Sequence, residues 1–227
     1  MNVANLVPPL LVFLAKNPIV SKYDLSSLKL IYSGAAPLSR ELEDAVKDRI
    51  KVHSIRQGYG MTEGSLSFTA QTETRYKPGS VGVLRKGFWA RIIDPETERN
   101  LGPYEQGELC FKSEANMMGY IDNVEATRDT IDSDGWLHTG DVGYYDSDGE
   151  FFIVDRLKEL IKCKGFQVPP AEIEGILLKH QAIADAAVIG IPDDVAGELP
   201  LAFVVKQKGA TITETEIISF VAGIVTL

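Results

Sequence analysis

The run from Leu28 to Gly60 constrains the fold of this chain more than any other. Leu28 to Tyr32 is a short apolar run entering Ser33-Gly34-Ala35-Ala36-Pro37, a strand that leads into a small-residue turn. Ser39 stands where a helix N-cap belongs, and Leu42, Ala45, Val46 and Ile50 share one face of a helix from Arg40 to about Ile50. Ser54 to Gln57 is a second short strand, ending in Gly58-Tyr59-Gly60. A strand, helix and strand at this spacing predict a parallel unit, because parallel neighbours need a crossover and a helix usually supplies it. Ligands of such sheets collect outside the carboxyl ends of the strands. Both small-residue loops, Gly34 to Pro37 and Gly58 to Glu63, are expected at those ends.

On the N-terminal side, Val3, Leu6, Val7, Leu10, Leu11 and Leu14 recur at helical spacing, which predicts a helix over Asn2 to Ala15. Pro8-Pro9 either kinks that helix or delays its start. From Leu66 the pattern changes. Short runs at Leu66–Ala70, Ser80–Val83, Ala90–Ile93, Glu108–Lys112 and Glu150–Val154 are separated by Gly, Pro and Asn turns. They predict a small antiparallel, barrel-like subdomain over about residues 66–155. Beyond it, Ala171 to Lys179 reads as a helix, Ile183–Ile191 and Leu199–Lys206 as strands, and Thr213 as the cap of a last helix, Glu214 to Val221. The fold class is therefore α/β with α+β: a parallel sheet with an antiparallel subdomain over residues 1–156, then a small α+β domain over 157–227.

Charge bears on the ligand. The chain carries a formal net charge of -9, yet Arg156, Lys158, Lys162 and Lys164 fall within nine residues against the single acid Glu159. Such a run is either a solvated strand edge guarded by lysines or a site for a local anionic ligand. An acidic chain with one basic run gives no reason to expect nucleic acid. There is no run of 18 apolar residues, so no membrane span is expected. Cys110 and Cys163 are far apart and match no metal spacing, and His53, His138 and His180 are isolated. Two free thiols in a reducing compartment are the expectation, and a zinc site is not.

The run Gln57-Gly58-Tyr59-Gly60-Met61-Thr62-Glu63 has the groups a nucleotide needs. Its glycines let backbone come close to a flat ligand. Tyr59 can stack on a purine, Thr62 can donate to a phosphate oxygen, and Glu63 can hold Mg²⁺ through carboxylate oxygen. Asp141, after Thr139-Gly140, is expected in a turn, where a carboxylate can accept from both ribose hydroxyls.

These runs, with Thr139-Gly140-Asp141, Asp155-Arg156-Leu157-Lys158-Glu159-Leu160-Ile161-Lys162 and Gly165-Phe166-Gln167-Val168, resemble the acyl-adenylate-forming enzymes. That family includes acyl-CoA synthetases, 4-coumarate–CoA ligases and beetle luciferases. The resemblance covers essentially the whole chain and is strongest to insect luciferase-like acyl-CoA ligases. It implies that residues 1–156 are the second half of a large adenylate-forming domain and that 157–227 are most of a small C-terminal one.

The resemblance also assigns roles. Gly34, Ala35, Ala36, Gln57, Gly58, Tyr59, Gly60 and Thr62 would hold ATP, with Glu63 on Mg²⁺. Asp141 would hold the ATP ribose, and Arg156 would support the ribose or phosphate. Lys158 would be the hinge about which the small domain swings between adenylation and thioester formation. Lys162, Lys164, Gly165 and Gln167 would serve the coenzyme A step, and Thr62, Glu63, Lys162 and Gln167 would be the catalytic set. Trp136 and His138 are expected to pack rather than to act. Leu66 and Ala35 would line the acyl pocket. Beetle luciferases have serine at the place matching Leu66, so leucine implies a fatty or otherwise apolar acid.

Family members also carry an upstream phosphate loop and a lysine near the C-terminus, and neither is in this sequence. The expectation is a truncated chain, inactive by itself, from an ATP-dependent acid–CoA ligase. A 4-coumarate ligase, a luciferase-type monooxygenase and a non-catalytic nucleotide-binding relative remain the alternatives. An intracellular location is expected, peroxisomal by resemblance or else cytosolic.

Overall fold

The structure, a computed structural model, describes residues 1–36 and 38–224. It divides into two compact units, 1–153 and 154–227. In the first, β1 (Val3–Leu6), β2 (Leu30–Ser33) and β3 (Ser54–Tyr59) run parallel, with Val3 opposite Leu30 and Ser33 opposite Gln57. The helix expected over Asn2 to Ala15 is corrected: it is split into β1 and α1 (Pro8–Lys16). Pro8 and Pro9 occupy the first helical positions, where a missing N–H is harmless, and Pro8 holds Val7 in extended backbone. The residues before it are then available to pair with β2.

Helix α2 (Arg40–Ile50) connects β2 to β3, and the Ser39 hydroxyl accepts from Leu42 N at 3.2 Å, as the sequence predicts. Leu11 of α1 and Val46 of α2 are buried with Leu38, Ile31, Val52 and Ile55. Pro37, part of the expected turn, lies outside the described residues.

The antiparallel part comprises β4 (Thr69–Ala70), β5 (Gly82–Leu84), β6 (Trp89–Ile93), β7 (Gly107–Lys112), β8 (Leu137–Tyr145) and β9 (Glu150–Arg156). These strands continue the parallel ones as one nine-stranded sheet in the order β1-β2-β3-β4-β5-β9-β8-β7-β6. Phe68 and Phe111 stack at 4.2 Å in the centre of their core, with Leu109, Leu137, Ile92, Val81 and Phe151 around them. The strand expected from Leu66 shrinks to β4, because Ser65 and Leu66 both take left-handed backbone (φ 57° and 84°), which breaks a strand. A short helix, α3 (Val124–Thr130), precedes β8 and buries no residue.

In the second unit, β10 (Ile161–Cys163) and β11 (Phe166–Val168) form a hairpin. They are followed by α4 (Pro170–Leu177), β12 (Ile183–Asp193), β13 (Gly197–Lys206) and α5 (Glu214–Ala222). The sheet order is β11-β10-β13-β12. Its core is Ile161, Leu177, Ile183 and Val188. Thr213 and Glu216 cap α5 reciprocally. Among the described residues no helix is long and apolar enough to cross a membrane.

Candidate functional site

The two small-residue loops meet at the carboxyl ends of β2 and β3, as parallel topology requires. Ala35 has left-handed backbone (φ 72°), and a Cβ on Gly34 would stand 3.3 Å from the Gly58 carbonyl oxygen. Gly60 is more constrained: a Cβ there would lie 1.9 Å from the carbonyl oxygen of Leu66. Only glycine lets the returning backbone pass. Gln57 is buried at the base, with its Nε2 donating to the Leu38 carbonyl at 3.3 Å and its backbone N–H to Gln71 Oε1 at 2.8 Å.

Tyr59 and Asp141 are 82 residues apart in sequence, and the fold joins them. The Tyr59 hydroxyl donates to Asp141 Oδ2 at 2.6 Å, and its ring lies against Phe68 and Phe111 at 5.7 and 6.0 Å. The expectation that Asp141 sits in a turn is corrected: it is within β8. What resembled a turn is a bulge. Cys110 of β7 pairs with His138, but Glu108, two residues earlier, pairs with Val142, four residues later. Thr139, Gly140 and Asp141 therefore stand against the single residue Leu109, a surplus of two on β8. Gly140 supplies the positive φ of 70°, the Thr139 hydroxyl donates to Leu109 O at 2.8 Å, and Gly140 N donates to Glu108 Oε1 at 3.0 Å. A bulge redirects side chains, and this one aims Asp141 at Tyr59.

Thr62 is exposed at the first position of a 3-10 turn, Thr62–Gly64. Glu63 Oε1 accepts from the Tyr120 hydroxyl at 2.8 Å, and that bond raises the Tyr120 pKa. The Glu63 carbonyl accepts from Met117 N at 2.7 Å, so the 117–120 segment holds Glu63 in place. A half-exposed carboxylate is the hard oxygen donor that Mg²⁺ takes. Leu66, 77% exposed, is not part of the core.

Behind the bulge lies a cluster that the sequence reading missed. His138 Nδ1 is 3.0 Å from Glu108 Oε2 and 3.6 Å from Cys110 Sγ, while His138 Nε2 is 3.6 Å from Asp132 Oδ2. Arg91 pairs with Asp132 at 2.9 Å and lies 4.6 Å over the Trp136 ring. Burial opposes the charged form of Asp132, but the N–H groups of Trp136 and Asp134 and the Arg91 charge outweigh it, and its pKa falls below the usual carboxylate range. Burial, reinforced by Glu108, pushes the Cys110 thiol up to about 12. The available signal was Glu108 itself, an acid inside the otherwise buried strand β7.

In the second unit Lys162 and Gln167 face each other across the β10–β11 ladder, both exposed. Lys164 and Gly165 form the two-residue turn between them, at φ 51° and 83°, the left-handed pair a tight hairpin needs. Lys158 is exposed in the turn after β9, and Arg156 lies 3.8 Å from Glu159. Asp155, buried beside them, accepts from Arg156 N and Ala171 N at 2.8 and 3.0 Å.

Two family models match the chain, AMP-binding enzyme over residues 1–121 and AMP-binding enzyme C-terminal domain over residues 172–226. Luciferin 4-monooxygenase of Photinus pyralis is 52% identical over 98% of this chain and 40% of its own length. 4-Coumarate–CoA ligase 3 of Oryza sativa subsp. japonica is 49% identical over 98% of this chain and 41% of its own. The ATP-bound crystal structure of MatB from Rhodopseudomonas palustris superposes with a TM-score of 0.91 at 32% identity, over 99% of this chain and 44% of that one. The chain thus spans about two fifths of the length of these relatives.

Proposed function

The chain belongs to the AMP-binding enzyme family, and on that premise we propose that its full-length form ligates a carboxylic acid to coenzyme A at the expense of ATP. In the first half-reaction a carboxylate oxygen attacks the α-phosphorus of ATP and the bond to pyrophosphate breaks. In the second, a thiol sulfur attacks the acyl carbon, AMP leaves as the carbon–oxygen bond breaks, and the thiol proton is lost. Both steps need positioned donors and cations more than a protein nucleophile.

The observation that carries this reading is the Tyr59–Asp141 hydrogen bond, which joins the glycine-rich loop to the bulge at 2.6 Å. Asp141 then offers a carboxylate to the ribose hydroxyls, and the glycines at 34, 58 and 60 let the backbone segments that frame the nucleotide loop pass close to one another. Thr62 donates to a phosphate oxygen. Mg²⁺, where bound, neutralises phosphate charge, and Glu63, anchored by Tyr120, is the residue that would hold it. Lys162 and Gln167, opposite each other on one hairpin, serve the thiol step with Lys164 and Gly165. Arg156 supports the ribose or phosphate. Lys158, exposed in the turn after β9, is the hinge between the half-reactions. The two free cysteines and the resemblance support a reducing compartment, cytosolic or peroxisomal.

The acid we propose is fatty or otherwise largely apolar. Leu66 leaves the nucleotide loop exposed and apolar, where a hydroxyl residue would favour a polar aromatic acid. The experiment is a substrate panel on the full-length form: medium- and long-chain fatty acids, 4-coumarate and luciferin. Pyrophosphate, CoA thioester and light are scored separately. Fatty-acid thioesters and no light are expected, and Asp141→Ala raises KM for ATP about 10–100-fold with KM for the acid little changed. The 227-residue chain alone gives no acid-dependent pyrophosphate. Strong light, or 4-coumarate preferred to every fatty acid, overturns the substrate reading, and no thioester from any acid overturns the ligase.

A further inference from the structure

The cluster behind the bulge has the composition and spacing of a metal site. Glu108, Cys110 and His138 each direct one ligand atom inward, and all three atoms lie within 4.8 Å of one another. A tetrahedral zinc with Zn–S near 2.3 Å and Zn–N near 2.0–2.1 Å sets its sulfur and nitrogen about 3.6 Å apart and its nitrogen and oxygen about 3.3 Å apart. The observed separations are 3.6 Å for Cys110 Sγ to His138 Nδ1 and 3.0 Å for His138 Nδ1 to Glu108 Oε2. We propose that Glu108, Cys110 and His138 form a three-ligand site for a borderline-soft divalent cation of the Zn²⁺ or Co²⁺ type, with water as the fourth ligand.

The surroundings point the same way. A metal on Nδ1 needs the ring proton on Nε2, and that atom faces Asp132 Oδ2 at 3.6 Å, the carboxylate that fixes the tautomer in many metal-bound histidines. Asp132 is held in turn by Arg91 at 2.9 Å and by the N–H groups of Trp136 and Asp134, both at 2.9 Å. Cys110 is fully buried and Glu108 nearly so, while the His138 side chain is 25% exposed, so the site opens along the histidine. The donor set, thiolate, imidazole and carboxylate, selects against Mg²⁺ and Ca²⁺. On binding, the Cys110 thiol proton passes to solvent and the sulfur–metal bond takes its place. Glu108 keeps its other oxygen on Gly140 N, so the cation would share a ligand with the backbone that positions Asp141.

The test is a Co²⁺ titration of the chain, followed by absorbance, with Zn²⁺ as competitor. One Co²⁺ per chain is expected, with a thiolate-to-cobalt charge-transfer band and strong visible ligand-field bands, both abolished by Zn²⁺. Cys110→Ala should remove the charge-transfer band and Cys163→Ala should keep it. Asp132→Asn retains all three ligands and should weaken Co²⁺ about 10–100-fold. This variant decides the matter if Cys110→Ala does not fold. The absence of a charge-transfer band in the folded wild-type chain at excess Co²⁺ overturns the site. So does a band that survives Cys110→Ala, or an unchanged affinity in Asp132→Asn.

Discussion

Glu108 shows how much one buried acid can organise. One oxygen accepts from Gly140 N and the other lies against His138 Nδ1, so a single carboxylate holds both edges of the bulge. Glu108→Ala leaves a backbone N–H without its acceptor and opens a hole in the strand pair. About 2–4 kcal/mol of destabilisation is expected from urea unfolding. Glu108→Gln keeps the shape and an acceptor oxygen for Gly140, and should lose less than half as much. Equal losses in the two variants would mean that the carboxylate contributes only volume. The sequence did not disclose this residue's role, because its partners lie 30 and 32 residues away and only the strand register unites them. Tyr59, Thr62, Glu63 and Asp141 stand out in the sequence because each offers a group that a nucleotide can use, and the structure adds the bonds from Tyr59 to Asp141 and from Tyr120 to Glu63. Leu66 was misread as strand, since its side chain fits one and only its backbone, at φ 84°, does not.

At the scale of elements, what was legible follows from periodicity and caps. Helix α2 and helix α5 begin at Ser39 and Thr213 as their caps demand. Strand β1 was hidden within a helical spacing, and α3 was invisible because a helix that buries nothing has no apolar stripe to read. The β8–β9 turn is also held from outside: Lys77 pairs with Asp146 and lies 2.9 Å from Asp148. The lysine that in the sequence stands beside Pro78-Gly79 is thus tied to this turn. Burial works against the charge on Asp146, yet Lys77 and the N–H groups of Glu150 and Asp148 outweigh it and lower its pKa. A carboxyl with its folded pKa below its unfolded value adds stability above the unfolded value, near 4, and that stability is lost as pH falls through the folded one. Wild type should therefore lose urea stability on acidification from about pH 5 downward. Lys77→Met should be less stable at neutral pH and lose less on acidification, because Asp146 then gains no ion pair by ionising. An acid limb as steep in Lys77→Met as in wild type would remove Lys77 from that role.

At the scale of the whole molecule, each of the three buried clusters among the described residues falls within one unit, two in residues 1–153 and one in 154–227. The division into an α/β part and a small α+β part was legible because apolar periodicity changes from one segment to the next. The continuity of one nine-stranded sheet through the first unit was not, since local pattern cannot reveal which strands are neighbours. Separate cores predict separate responses to core damage. Leu177 is 1% exposed and belongs to the buried cluster of the second unit. Leu177→Ala removes buried methyl groups at a cost of about 2–5 kcal/mol, a large share of what a unit this small can hold. Both tryptophans, Trp89 and Trp136, lie in the first unit, so their fluorescence reports that unit alone, while far-ultraviolet circular dichroism reports both. In Leu177→Ala the dichroism should show an early transition at low urea and the tryptophan transition should keep its wild-type midpoint. A tryptophan midpoint that falls together with the dichroism would show that the two units unfold as one.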